Sequence, residues 1–512
     1  MFKSLNNIFL SLITIALLFH FKGFSQGSEK IRILNSDVLR YSKRIDPDLK
    51  KLIGNVILQH HFTLMHCDSA YFYEDKNMFE AFDNVKILQG DSLSLVCDFV
   101  RYNGLISTAE ARKNVVLKDK NMTLYTEFLD FNTQTSTGYY YNGGRIINEN
   151  TVLTSKIGHY YSNSKSFYFK DSVVVTDPQY QIKSDTLKYN ADIDKVFFLG
   201  PTVISNEENY IYCEYGWYQT EDSISQFEVN AFIKNDEQII YGDLLNYNQL
   251  SQKGKARNNV KIHDFVRDLI VEGHKADFDR GSQLFTMTDS AILTMITDED
   301  SIFIHGDTLK SEFDSTNTNR QLKAFYHVKF FKNDLQGKCD SLVYLLKDSV
   351  IQLHRFPVLW SGENQMTSEY IEGYIKNGTF HKIWLQTSAF IISMEEIGRY
   401  NQIKGKEMTG YFINNELKRV DVFGNGQMIY FPKEENDIIG MNKVESSNLI
   451  LYIENRKIKT VNFITKPNAK LTPISDITAD EMRLKDFVWY GEFKPYTKKD
   501  IFTWIEKKQK ME

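Results

Sequence analysis

Proline is scarce in this chain, with 8 in 512 residues, and that scarcity excludes proline-rich spacers and argues for strands over disordered linkers. Cysteine is scarcer still, with 4, too few for a disulfide scaffold in a chain of this length. Beyond the first 25 residues no run of roughly 18 apolar residues occurs, so no later segment reads as a membrane-spanning helix. No large excess of positive charge is present either. Without Lys3 and Lys22, 59 basic residues face 66 acidic ones, a balance of −7, which argues against nucleic acid as a partner. What is abundant is aromatic: Phe, Tyr and Trp make up 14% of the chain, mostly Phe and Tyr. Together these features predict a β-rich protein.

Residues 1–25 have the form of an export signal. Lys3 precedes an apolar run from Ile8 to Phe19, and Gly23 and Ser25 stand where a signal peptidase would cut. The run is short for a span and no cysteine follows it to take a lipid. A mature chain beginning near Gln26, exported and without a stable membrane anchor, is expected.

One pattern then recurs. It is centred on Asp37, Asp68, Asp98, Glu127, Lys156, Asp185, Glu214, Asp243, His274, Asp307, Asp340 and Glu369, at spacings of 29 to 33 residues. The residue just before the centre is small in all twelve copies, and all four cysteines (Cys67, Cys97, Cys213, Cys339) fall in that column. Three places before the centre stand apolar residues such as Met65, Leu95, Leu124, Leu153, Ile182, Ile211 and Ile240. Four places after it stand aromatics: Tyr41, Phe72, Tyr102, Phe131, Tyr160, Tyr189, Tyr218 and Tyr247. Two places after it the residue is aliphatic or small, as at Leu39 and Ala70. Alternation with period two holds on each side and slips by one residue at the acid, which predicts a corner or bulge there. A second marker, such as G-N-V (54–56), D-N-V (83–85) or K-N-V (113–115), reads as a turn followed by a strand start.

Such repeats bury apolar surface only by stacking on one another. The fold expected is all-β: an elongated stack of about twelve repeats of ~29 residues. The turns E-D-K-N (74–77) and N-T-Q-T (132–135) favour antiparallel strands. That topology puts Cys67 and Cys97 two strands apart, roughly 9.6 Å, too far for a disulfide, so four free thiols are expected. After Thr387 the pattern loosens. Glu407 with Tyr411 reads as a degenerate copy, 422–431 and 448–464 as hairpins, and the C-terminal end as a short helix that caps the stack or docks a partner.

The stretch L-M-H-C-D-S-A-Y-F-Y-E-D (64–75), with His60, His61 and His66 near Cys67 and Asp68, has the look of a metal or nucleophile site. The repeat accounts for it otherwise, because Cys67 shares its column with Ser, Thr and Gly and Asp68 marks the corner. No zinc-type spacing occurs elsewhere, and the acids stand singly rather than in clustered calcium loops. No catalytic residue, metal or cofactor is therefore assigned. The apolar and aromatic columns suit either a closed core or the lining of an open groove.

The copies at 54–82 and 83–110 resemble the OstA/LptA family of lipopolysaccharide-transport proteins. The resemblance implies a β-taco, or β-jellyroll, whose groove holds the acyl chains of lipid A. It further implies a periplasmic, non-enzymatic role in outer membrane assembly, with lipopolysaccharide as ligand. Envelope transport proteins, or further copies joined through β-edges, are the implied partners. Groove candidates are then Leu39, Tyr41, Met65, Phe72, Leu95, Tyr102, Leu124, Phe131, Leu153, Tyr160, Ile182, Tyr189, Ile211, Tyr218, Ile240 and Tyr247. The domain reading is 1–25 signal, 26–260 clear repeats, 261–386 degenerate repeats and 387–512 a β-rich extension ending in a short helix. Two rival readings are a structural β-solenoid or adhesin-like envelope protein, and a parallel β-helix enzyme on polysaccharide. The enzyme lacks support, since no acid or base cluster stands outside the repeat columns.

Overall fold

The computed structural model describes residues 30–505, apart from 42–47, 61–62, 90–92, 120–121, 162, 220, 297–299, 314–318, 377–378, 414–415, 436 and 455–456. The export signal and His61 lie outside the described residues. Among the described residues every regular element is a strand, save 3₁₀ turns at Ile474–Asp476, Gly491–Phe493 and Lys498–Phe502. They group into two compact units, one up to Gln252 and one from Lys253.

In the first unit β1 (Arg32–Asn35) and β2 (Val38–Tyr41) pair with the two halves of β3 (Leu49–His60). Then follow β4 (Thr63–Tyr73), β5 (Met78–Gln89), β6 (Leu93–Asn103), β7 (Thr108–Asp119), β8 (Met122–Asn132) and β9 (Thr137–Asn148). Each is antiparallel to the one before, and the meander continues to the strand Gln238–Asn248. The expected antiparallel form is the one observed.

Each long strand bends at its middle. Ile53 pairs with Ser69 and Val56 with Cys67, so Gly54 and Asn55 together face Asp68. Asp83 and Asn84 open the next ladder in the same way. The residues of the extra pair are left-handed: Gly54 and Asn55 at φ 79° and 43°, Asp83 and Asn84 at 57° and 47°, Lys113 and Asn114 at 60° and 49°. Asn and Asp tolerate that region better than other non-glycine residues. The N-V markers are thus not strand starts, contrary to the sequence expectation; they lie inside β5 and β7 and make the bend. The acid of one strand and the marker of the next form a single corner.

The bend folds the sheet over on itself. Leu58 and Met65 from one half of their strands share a buried cluster with Leu52, Ala70, Phe72, Phe79 and Ala81 from the other half. Burying each large side chain of this kind stabilises by about 1.5–3 kcal/mol. Two arms joined along a spine of bends, with one apolar interior, make the β-taco.

The second unit repeats this plan. Its later strands are longer: Thr379–Glu396 has 18 residues, and Arg399–Ile413, Glu416–Tyr430 and Gly440–Glu454 have 15 each. The degenerate copy read at Glu407 and Tyr411 is displaced by one residue: Lys406 occupies the corner opposite the left-handed Thr387 and Ser388, Glu407 is paired in both ladders, and Tyr411 is exposed. Residues 448–464 do form a hairpin. Residues 422–431 do not: they lie almost wholly in the strand Glu416–Tyr430, and Gly424 and Asn425 are its left-handed bend. The expected terminal helix is only a 3₁₀ turn, closed by reciprocal bonds between Thr497 and Asp500. Around it, residues 474–504 run as a strap over the outer face of one arm of this unit. Leu484 packs with Phe390, Ile392, Ile429 and Phe431, and Phe493 with Val358 and Trp360.

Candidate apolar groove

Between the arms of the first unit lies a cavity of about 280 Å³. Its walls are Leu58, Met65, Ile87, Leu95, Leu117 and Leu124 on one arm and Phe79, Tyr102, Leu129, Phe131 and Tyr160 on the other. The alternation explains this lining, since side chains three before and four after each acid point inward on opposite arms.

Of the groove candidates, the structure brings Met65, Leu95, Tyr102, Leu124, Phe131 and Tyr160 to this cavity. Phe72, Leu153, Ile182, Tyr189, Ile211 and Tyr218 are buried but pack elsewhere in the interior. Ile240 and Tyr247 are half-buried and do not line the cavity. Leu39 and Tyr41 stand on the outermost rung and are exposed, at 52% and 46%. Candidates missed by the column pattern include Ile87, Leu117 and Ile146, which sit on the return strands. For Ile87 and Leu117 the signal was the apolar residue two places after the valine of an N-V marker; Ile146 stands two places after Gly144, in a copy without that marker.

Aromatic packing ends the cavity. Tyr160 stacks on Phe167 with centroids 4.5 Å apart, and Phe167 on Tyr189 at 6.3 Å. The Tyr189 hydroxyl donates to Asp194 at 2.6 Å, holding that ring in place. Tyr140 fills the space beside Gly158, where a Cβ would come within 2.1 Å of its ring.

Polar groups gather at the arm tips. The Tyr102 hydroxyl meets Nδ1 of His60 at 3.4 Å, bridging the two arms. The Ile31 amide donates to Oδ1 of Asn77 at 3.1 Å, drawing the chain across from one arm tip to the other. Gln59, Thr63, Gln89 and Thr133 complete the rim. Burial pushes the Tyr102 phenol above its ordinary value, so it stays a neutral donor.

The spine carries a ladder of hydrogen bonds. Asn55 donates to Asp37 (2.8 Å), Asn84 to Asp68 (2.7 Å), Asn114 to Asp98 (2.8 Å) and Asn230 to Glu214 (2.7 Å). The small column has a donor role too. Cys67 bonds the Ser69 carbonyl at 3.2 Å, Ser155 that of Ile157 at 2.9 Å and Ser184 that of Thr186 at 3.1 Å. Small size was legible in the sequence; this donation, which serves the carbonyl just past the acid, was not.

The four cysteines are free and buried. Burial pushes the Cys67, Cys97 and Cys213 thiols up to about 12, 11 and 12, and Cys339 is pushed up further by the same cause. None is a thiolate near neutrality. Among the described residues no three His, Cys, Asp or Glu side chains converge as metal ligands, and no helix is long and apolar enough to cross a membrane.

Residues 28–185 match the model of a family described as OstA-like protein. No curated protein matches the chain. Among solved structures it is similar to LptH, the LptA-homologous periplasmic component of the conserved lipopolysaccharide transport device from Pseudomonas aeruginosa. The identity is 11%, over 20% of this chain and 79% of that one, with a TM-score of 0.19.

Proposed function

We propose that the OstA-like segment, residues 28–185, makes this chain a lipopolysaccharide-binding transport protein of the periplasm. It acts without catalysis, by holding lipid A acyl chains between the arms of its first unit, and serves outer membrane assembly. One observation carries the proposal: every residue lining the apolar cavity, from Ile31 to Phe169, falls inside the OstA-like segment.

Burial of an acyl chain stabilises by roughly 0.8 kcal/mol per CH₂. Walls that repeat from rung to rung present a chain with nearly equivalent surfaces, so sliding between them meets no large step. The polar rim leaves sugar and phosphate groups at the arm tips, in water. β1 and β2 pair only with β3 among the described residues, and Leu34, Val38, Leu39 and Tyr41 are exposed there. We infer that this edge takes a strand of an envelope transport protein or of another copy.

Photo-crosslinkers at Tyr102 and Phe131, which line the cavity, should capture lipopolysaccharide in cells, while one at Tyr189, fully buried beyond it, should not. Silence at both cavity positions with the protein expressed would refute the proposal.

A further inference from the structure

The bends of the second unit hold an anomaly. Elsewhere the left-handed residues at these corners are Asn, Asp, Ser, Gly, Thr or Lys, with Val229 the one apolar case. Two successive corners instead carry Tyr326 and His327 (φ 60° and 51°) and Arg355 and Phe356 (φ 61° and 54°). Bulky aromatics are poorly suited to that conformation, and backbone held there concentrates at functional sites. Packing does not explain them, because Tyr326 is 58% and Phe356 74% exposed.

These rings flank a cavity of about 410 Å³. The strap supplies its opposite wall with Tyr490 and Trp504. Trp504 is held against His327 with centroids 4.9 Å apart and against the Lys338 ammonium at 4.9 Å. Charged groups alternate with the rings: His327 Nδ1 lies 2.7 Å from Asp307, and Arg355 lies 3.4 Å from Asp340. The two carboxylates of the lining, Asp307 and Asp340, are matched in number by the cations Lys338 and Arg355.

We propose that this cavity binds a short neutral glycan. A pyranose offers an apolar C–H face to the exposed rings of Tyr326 and Phe356, with Trp504 on the opposite wall. Its hydroxyls find acceptors in Asp307 and Asp340 and a donor in Arg355. A charged ligand would leave one sign of the lining unmatched. The site belongs to the second unit and stands whether or not the first carries lipid.

The test uses the full chain with chitotetraose, cellotetraose and maltotetraose at millimolar concentration, read by saturation-transfer NMR and tryptophan fluorescence. At least one should bind. The double variant Tyr326→Asn with Phe356→Asn installs the residue this fold uses at its other corners. It should weaken binding about tenfold or more, a loss of ~1.4 kcal/mol, while its thermal midpoint stays level or rises. Arg355→Gln, a change at a 74% exposed side chain, should weaken binding several-fold in a protein that folds normally. Binding of none of the three, or undiminished binding by the folded variants, would overturn the proposal. Retention of an envelope protein by the wild type alone, with no glycan bound, would also overturn it and reassign the surface to a protein partner.

Discussion

The hydroxyl of Tyr102, on β6, lies 3.4 Å from Nδ1 of His60, on β3, and their rings are 5.5 Å apart. The two residues sit on opposite arms, so the contact closes the mouth of the groove at that rung. If the groove holds lipid as proposed, an acyl chain entering sideways would have to part them. Tyr102→Phe keeps the ring and removes the bond, at a cost to stability of about 1 kcal/mol or less. Uptake of a fluorescent fatty-acid analogue, followed by stopped flow, should be several-fold faster in this variant and faster again in His60→Ala. Equal rates in all three proteins would mean that lipid enters elsewhere.

Stability should fall as the medium is acidified below neutrality. Burial lowers the affinity of His159, His305 and His354 for a proton, with Lys170 adding to the effect at His159. Folded, these groups stay neutral at a pH where the unfolded chain already binds protons. Their contribution is therefore full above the ordinary histidine value of about 6.5 and is lost as pH drops from there through the folded values. Thermal midpoints taken between pH 7.5 and 5 should show this. His159→Phe keeps the stack on Tyr139, now 4.5 Å between centroids, and should flatten part of the slope; an unaltered slope would remove His159 from the account.

The spine was half legible in the sequence. The acid at 68 and the N-V at 83–85 were visible as separate recurring signals, but only the bend joins them, because Asn84 reaches Asp68 across sixteen residues of chain. The extent of the groove was not legible at all. Tyr102 and Tyr189 occupy the same column, yet one lines a cavity and the other is packed under Phe167. The difference lies in neighbouring rungs, where Tyr160 and Phe167 fill the interior. Past Thr387 the pattern loosens for a physical reason. Ala389 to Ile392 (A-F-I-I) is buried on both faces, by the arms inside and the strap outside, and strands covered on both faces lose alternation.

The Asn84–Asp68 bond makes a separable prediction about the corner. Asn84→Ala loses both the bond and a residue suited to φ 47°, and should cost about 1–3 kcal/mol. Asn84→Gly loses only the bond and should cost about 1 kcal/mol. Combined with Asp68→Ala in a denaturant-based double-mutant cycle, Asn84→Ala should show a coupling of about 0.5 kcal/mol or more. Strict additivity would mean that the ladder is incidental to the bend.

The strap is held by two fully buried glutamines that bond its backbone in the same manner. Gln402 accepts from the Leu484 amide at 2.8 Å and donates to the Met482 carbonyl at 2.8 Å. Gln365 accepts from the Tyr490 amide at 2.6 Å and donates to the Val488 carbonyl at 2.8 Å. A side-chain amide thus stands in for a strand edge, and a leucine of similar volume would leave one amide and one carbonyl unpaired at each place. Each such group costs about 1–3 kcal/mol when buried. Gln402→Leu with Gln365→Leu should therefore release the strap before the strands unfold. Limited proteolysis should then cut between 474 and 504 in the variant at conditions where the wild type resists, and a dye that senses apolar surface should brighten as Phe390, Ile392 and Trp360 are uncovered. Cutting at the same rate in both proteins would mean that the remaining contacts suffice to retain the strap: the apolar ones of Leu484 and Phe493 and the bonds made through Lys329, Lys404, Arg483 and Lys494.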